Sequence, residues 1–116
     1  MSIGMKDILA EDFQLAADSA LVRNRGLMDN ISKLETSSAR LSRAITKAHT
    51  QCGCIDMSNK QLSGELCEKC RSVVETEMGD LLFYTAGLCN TLGLSIYDVM
   101  LKEKQALSLL KNFSLK

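Results

Sequence analysis

The feature that most constrains this chain is the complete absence of proline from its 116 residues. All-β domains need turn residues at short intervals, together with strands rich in β-branched or aromatic side chains. Neither is present here, because only seven glycines are scattered along the chain and aromatic residues make up 4% of it. The sequence therefore predicts an all-α fold.

Helical periodicity divides the chain into segments. The first 22 residues are loosely helical, and from Leu27 apolar residues recur at alternating steps of three and four. That stripe consists of Ile31, Leu34, Ser38, Leu41, Ile45 and Ala48. A longer helix is predicted from about Gly64 to about Leu92, with Gly93 as its C-terminal cap.

Ser95 and Asp98 resemble a capping box, which predicts the start of a last helix. The predicted architecture is a small antiparallel bundle of about four helices in one domain over residues 1–116. A cysteine-rich loop at about 49–63 separates the two central helices, because the periodicity lapses there.

Charge and length exclude several classes of protein. The 14 basic and 14 acidic side chains balance, which argues against a protein that grips nucleic acid. No apolar run reaches the roughly 18 residues of a membrane span, and the first residues lack the layout of a signal peptide. We therefore expect a cytoplasmic protein that binds neither nucleic acid nor membranes, with its cysteines reduced or metal-bound.

The long helix is apolar on two sides. Its second stripe comprises Met78, Leu82, Ala86 and Cys89. In a chain this short, the second face is expected to meet another copy. The sequence thus predicts a bundle that is completed by oligomerisation, as a homodimer or tetramer.

Two carboxylates lie on the first stripe of the long helix. Glu77 and Asp80 are three residues apart, so they share a helix face. An unpaired carboxylate on a buried stripe is costly unless a metal ion, a basic side chain or water satisfies it. Two interpretations follow: the acids bind a divalent cation, or they pair with cations of the preceding helix. Those cations are Arg40, Arg43 and Lys47.

The run from Glu75 to Tyr84, with the segment from Leu88 to Ile96 after it, resembles the third helix and following turn of the MazG-like all-α nucleoside triphosphate pyrophosphohydrolases. Members of that family carry Glu-x-x-Glu on one helix and Glu-x-x-Asp on the next. Their four acids hold Mg²⁺, which binds the triphosphate while a water attacks and releases a monophosphate and pyrophosphate. The resemblance covers roughly residues 30–99, with the cysteine loop as an insertion.

The resemblance implies roles for particular acids. Glu77 and Asp80 match Glu-x-x-Asp, and Glu35 matches the first acid of the other motif. Ser38 stands where the second acid is expected, so this motif is degenerate. The implied site is Glu35, Glu77 and Asp80 around Mg²⁺ and a nucleoside triphosphate, with Glu35 or Glu77 as the base or water-positioning group.

Four cysteines have the spacing of a structural zinc site. Cys52 and Cys54 are followed, twelve residues later, by Cys67 and Cys70. His49, three residues before Cys52, is an alternative ligand. A reversible disulfide and packed free thiols are the competing interpretations of the same four residues. Zn²⁺ would join the two helices that bear the carboxylates and leave no open position for water.

Three functions therefore remain open at the level of sequence. The first is Mg²⁺-dependent hydrolysis of nucleoside triphosphates. The second is a non-catalytic homo-oligomeric helical module that keeps the fold but lost its chemistry with Ser38. The third is a thiol-based redox or metal sensor.

Overall fold

The structure is a computed structural model that describes residues 5–20 and 26–113, with side chains described for residues 8–20 and 26–110. Four α-helices account for most of the described chain, which confirms the all-α fold class. In chain order they are α1 (Met5–Ala20), α2 (Leu27–Lys47), α3 (Glu68–Leu92) and α4 (Ile96–Phe113). No helix in these ranges is both long enough and apolar enough to cross a bilayer.

A short loop region connects α2 to α3. A π-helical turn, Ala48–Cys52, extends α2 and ends at Gly53, whose φ of 77° is left-handed. Two strands, β1 (Ile55–Asp56) and β2 (Ser63–Gly64), then pair antiparallel with Ile55 opposite Gly64. Because Gly64 belongs to this strand pair, α3 begins four residues later than the sequence predicts.

The described residues form two compact units. The terminal unit contains the chain up to Leu27 and from Ala86 onward, and the central unit is Met28–Thr85. The helix α3 therefore contributes to both. One domain over the whole chain stays a prediction.

In the terminal unit α1 and α4 pack against each other. The side chain of Gln14 on α1 hydrogen-bonds to the turn between α3 and α4. Its Nε2 donates to Asn90 Oδ1 at 2.9 Å and to the Leu94 carbonyl at 2.7 Å. Its Oε1 accepts from the Ile96 N–H at 2.8 Å. A glutamine amide can donate and accept at once, so one side chain satisfies backbone groups that the helix ends leave open.

The predicted helix boundaries at this turn are confirmed. Gly93 has a φ of 70°, and the Leu94 N–H donates to the Cys89 carbonyl at 2.8 Å, as in a Schellman cap. Ser95 Oγ accepts from the Asp98 N–H at 3.3 Å, which is the first half of a capping box.

In the central unit α2 and α3 form an antiparallel hairpin. The end of α2 and the start of α3 line one cavity, where Lys47 lies with Cys70. Residues further into both helices line the next cavity, where Arg40 lies with Glu77. The predicted antiparallel order of the two central helices is thus confirmed.

The predicted stripe of α2 is buried or half-buried at every position except Ser38. Ser37 is buried, with 2% of its surface exposed, whereas Ser38 is exposed. Placing Ser38 on the seam was therefore wrong. Residues Asn30, Leu34, Ser37, Leu41, Ala44 and Ala48 also follow steps of four and three, and all six are buried or half-buried. Ile31 and Ile45 of the predicted stripe are half-buried as well, so the covered face of α2 is broader than one stripe.

Candidate metal centre and acidic cavity

The four loop cysteines come together at the open end of the hairpin. The sulfur atoms of Cys52, Cys54, Cys67 and Cys70 all lie within 4.8 Å of one another. Cys52 and Cys54 flank the left-handed Gly53, which turns the chain so that both thiols face the same way. The sequence-predicted set is thus brought together in full, and it can hold a metal ion such as zinc.

Sulfur spacing is the sharpest test of this fit. Four sulfurs at about 2.3 Å from one tetrahedral Zn²⁺ would be about 3.8 Å apart. The Cys52 and Cys67 sulfur atoms are 3.8 Å apart, and they are not bonded as a disulfide. A disulfide would need about 2.05 Å. This pair therefore has the spacing of two ligands of one four-coordinate ion, and the other sulfur atoms lie within 4.8 Å of it and of each other.

Cys67 also caps α3. It directly precedes the helix, and its sulfur accepts from the Cys70 N–H at 3.4 Å, the position that an N-cap side chain usually serves. This hydrogen bond from the backbone lowers the pKa of the Cys67 thiol to about 7. A thiolate is the form that binds metal, so the start of α3 prepares this ligand.

The thiols of Cys52 and Cys70 resist ionisation while no cation lies among them. Contact with Cys67 raises the pKa of Cys52, and it raises the pKa of Cys70 to about 12. A second negative charge so close to the first is unfavourable. A divalent cation reverses this effect because it offsets the charge of every thiolate at once.

His49 does not join the cysteine cluster. Its Nδ1 accepts from the Met57 N–H at 3.1 Å and lies 3.8 Å from Asp56 Oδ1. The imidazole therefore holds the loop beyond β1 rather than serving as a fifth candidate ligand. Cys89 lies apart from the cluster on α3 and is buried, as expected of a core residue.

The acids of α3 lie about two to three turns beyond Cys70 along the helix. Glu77 and Asp80 are half-buried on α3, and Glu35 is exposed on α2. Because the helices run antiparallel, Glu35 (five residues before Arg40) and Asp80 (three residues after Glu77) lie toward the same end of the hairpin. Ser38, which stands where the resemblance implies the second acid of the Glu-x-x-Glu motif, is exposed.

The carboxylate of Glu77 lacks the hydrogen-bond partner that a buried polar atom usually has. Its Oε2 is buried and has no hydrogen-bond partner. Among the described residues neither Glu77 nor Asp80 forms an ion pair, so neither is paired with Arg40, Arg43 or Lys47. The interpretation that the two acids pair with those cations is therefore wrong for this structure. A buried carboxylate oxygen without a partner is costly, and a cation would remove that cost.

A cavity of about 220 Å³ adjoins Glu77. Three cations of α2 line it as well: Arg40, Arg43 and Lys47. A second cavity continues toward the cysteines, where Lys47 and Lys69 lie with Cys52 and Cys70. The carboxylate and the thiols thus open onto adjoining parts of the same hairpin.

The chain matches no protein-family model, and neither a curated protein nor a solved structure is significantly similar to it.

Two features of the site were not predicted from the sequence patterns. The cationic wall of the cavity follows from residues spaced at three and four along α2, a signal that also describes an ordinary solvated face. The buried Ser37 was missed because two overlapping stripes fit the same residues.

Proposed function

We propose that this chain is a Mg²⁺-dependent nucleoside triphosphate pyrophosphohydrolase. In this proposal a structural Zn²⁺ stabilises the hairpin of α2 and α3. The observation that carries the proposal is the buried, unpartnered Oε2 of Glu77 beside half-buried Asp80. Carboxylates on one helix face, without a basic partner, are the ligands that Mg²⁺ prefers together with substrate phosphates. The motif resemblance of residues 75–84 adds the reaction class.

Each acid has its own part in this proposal. Glu77 and Asp80 hold the cation from α3, and Glu35 approaches from the facing helix, where its exposure leaves it free to position a water. Bound Mg²⁺ supplies charge neutralisation on the phosphate oxygens. Half-burial of Glu77 strengthens its electrostatic interaction with a bound cation, because screening by water is weaker there.

Pyrophosphate release tests this reaction. Canonical and modified nucleoside triphosphates are incubated with protein and Mg²⁺, and we expect steady release by the wild type. Glu77→Gln should reduce the rate by roughly 10²-fold or more, the typical effect of losing one group that stabilises the transition state. Glu75→Gln, an exposed acid two residues away, is the matched control and should leave the rate within about twofold. Equal rates in both variants would remove Glu77 from the site.

Zinc at the cysteine cluster is the second part of the proposal. Four thiolates leave no open coordination position, so the ion is structural and fixes the loop between α2 and α3. Metal analysis of purified protein should find about one zinc per chain, and Cys67→Ser should lose it while Cys89→Ser retains it. A zinc content below about a tenth per chain in the wild type would contradict the proposal.

A non-catalytic helical module is the second candidate function, and the exposed Ser38 in place of an acid favours it. Two half-buried acids can bind a cation without a full catalytic set. In that case Mg²⁺ with a nucleoside triphosphate raises the melting temperature, Asp80→Ala abolishes the rise, and no pyrophosphate is released from any triphosphate tested.

A further inference from the structure

The cationic face of α2 is the strongest feature that the proposed metal sites leave unexplained. Arg40, Arg43 and Lys47 are spaced three and four residues apart, so they lie along one side of the helix. All three line the cavity beside Glu77, and none of them forms an ion pair with a described acid. We call this set the basic stripe.

We propose that the basic stripe binds a chain of two or more phosphate groups. This proposal concerns the phosphate chain of the substrate, which α2 recognises. That the phosphates belong to a nucleoside triphosphate rests on the function proposed above. Guanidinium groups match phosphate oxygens in a two-pronged geometry, and a lysine ammonium serves as a point charge beside them.

The length of the stripe favours several linked phosphates over one. Arg40 and Lys47 are seven residues apart, which corresponds to about 10.5 Å along the helix axis. A linear chain of phosphates can lie along such a row and contact each cation, whereas a single phosphate would require the side chains at both ends to bend toward one point. The cavity of about 220 Å³ is open to solvent, so a chain of phosphates can enter it from one side.

Charge around the cavity supports the same ligand. Among the described residues, Glu77 is the single acidic one that lines the cavity. The three cations of the basic stripe therefore exceed the one negative charge in the cavity by two. In the absence of Mg²⁺, the buried carboxylate should repel the phosphates while the stripe attracts them. With Mg²⁺, that carboxylate becomes an attachment point through the ion.

Titration calorimetry with inorganic tripolyphosphate and with orthophosphate tests the proposal on the full chain in Mg²⁺-free buffer of low salt. We expect tripolyphosphate to bind at least about tenfold more tightly than orthophosphate. Arg43→Gln should weaken tripolyphosphate binding by about tenfold, the loss of one charge-assisted contact. Lys33→Gln, on the same helix but about 15 Å from Arg43 along the axis, should change it less than about twofold.

A second variant separates a binding role from a purely structural one. Glu77→Gln should bind tripolyphosphate more tightly than the wild type without Mg²⁺, and adding Mg²⁺ should no longer help. Equal losses in Arg43→Gln and Lys33→Gln, or equal affinity for the two phosphate compounds, would overturn the proposal. Tight binding of tripolyphosphate without pyrophosphate release from nucleoside triphosphates would overturn only the proposed hydrolysis. Hydrolysis with an unchanged KM in Arg43→Gln would overturn only the phosphate-binding role of the basic stripe.

Discussion

At the scale of single residues, Cys67 shows how position creates chemistry. The same thiol side chain occurs five times in the chain, yet only Cys67 stands directly before a helix and accepts a hydrogen bond from its backbone. That hydrogen bond stabilises the thiolate and lowers the pKa to about 7. Cys70, one turn later, has its pKa raised to about 12 by its contact with Cys67.

This contrast predicts the alkylation pattern of metal-free protein. The thiolate is the reactive form, so modification of Cys67 by iodoacetamide should accelerate as the pH rises through about 7. Cys70 should stay protonated and unreactive over the same range, and buried Cys89 is an internal control. Peptide mass mapping over a pH series measures each site. Alkylation of Cys70 as fast as Cys67 at pH 7 would contradict the assignment.

At the scale of elements, the strand pair before α3 decides whether the four thiols can meet. Gly64 has a φ of 82°, and a Cβ built there would lie 2.5 Å from the Cys54 carbonyl oxygen. The close approach brings β2 against the residue that carries one of the thiols. Only glycine accommodates both the left-handed backbone and this contact.

Gly64→Ala is therefore expected to distort the loop and weaken metal binding. Strain of a left-handed residue and the clash together should lower the free energy of unfolding by about 1–3 kcal/mol. Gly79→Ala is the matched control, because a Cβ there meets nothing within 4 Å and α3 gains a better helix former. Chemical denaturation with metal analysis measures both variants, and an equal effect of the two would contradict this role of Gly64.

At the scale of the whole molecule, α3 carries more apolar surface than one chain covers. Met78 and Leu82 are 45% and 52% exposed, although they belong to the second apolar stripe that the sequence predicts to be buried. Exposed apolar residues are common singly, but a stripe of them on one helix face is typical of an interface. Self-association is the interpretation that reconciles the sequence pattern with the exposure.

Leu82→Gln should therefore shift the protein toward monomer. Sedimentation velocity at micromolar concentration is expected to give a dimer or tetramer for the wild type and a smaller species for the variant. Leu62→Gln, in the loop and 64% exposed, is the control and should keep the wild-type assembly. A monomeric wild type at high micromolar concentration would exclude the predicted oligomer.

Local patterns in the sequence were sufficient for the fold class, the helix caps at Gly93 and Ser95, and the set of four cysteines. Each depends on neighbours within one or two turns, so the physics that selects it acts over a few residues. The start of α3 and the burial of Ser37 in place of Ser38 were not predictable in this way. Leu34, Leu41 and Ala48 fit two overlapping stripes, and Ala44 and Ile45 are both half-buried, so periodicity alone does not tell which serine is covered.

Tertiary packing likewise decided the state of the acids. Spacing alone placed Glu77 and Asp80 on one helix face, with a cation and basic side chains as alternative partners. The register of α2 against α3 leaves Glu77 Oε2 buried without a partner and keeps Arg40, Arg43 and Lys47 unpaired beside it. Distances between side chains on different helices depend on how those helices approach each other, and a pattern along one helix carries no information about that approach.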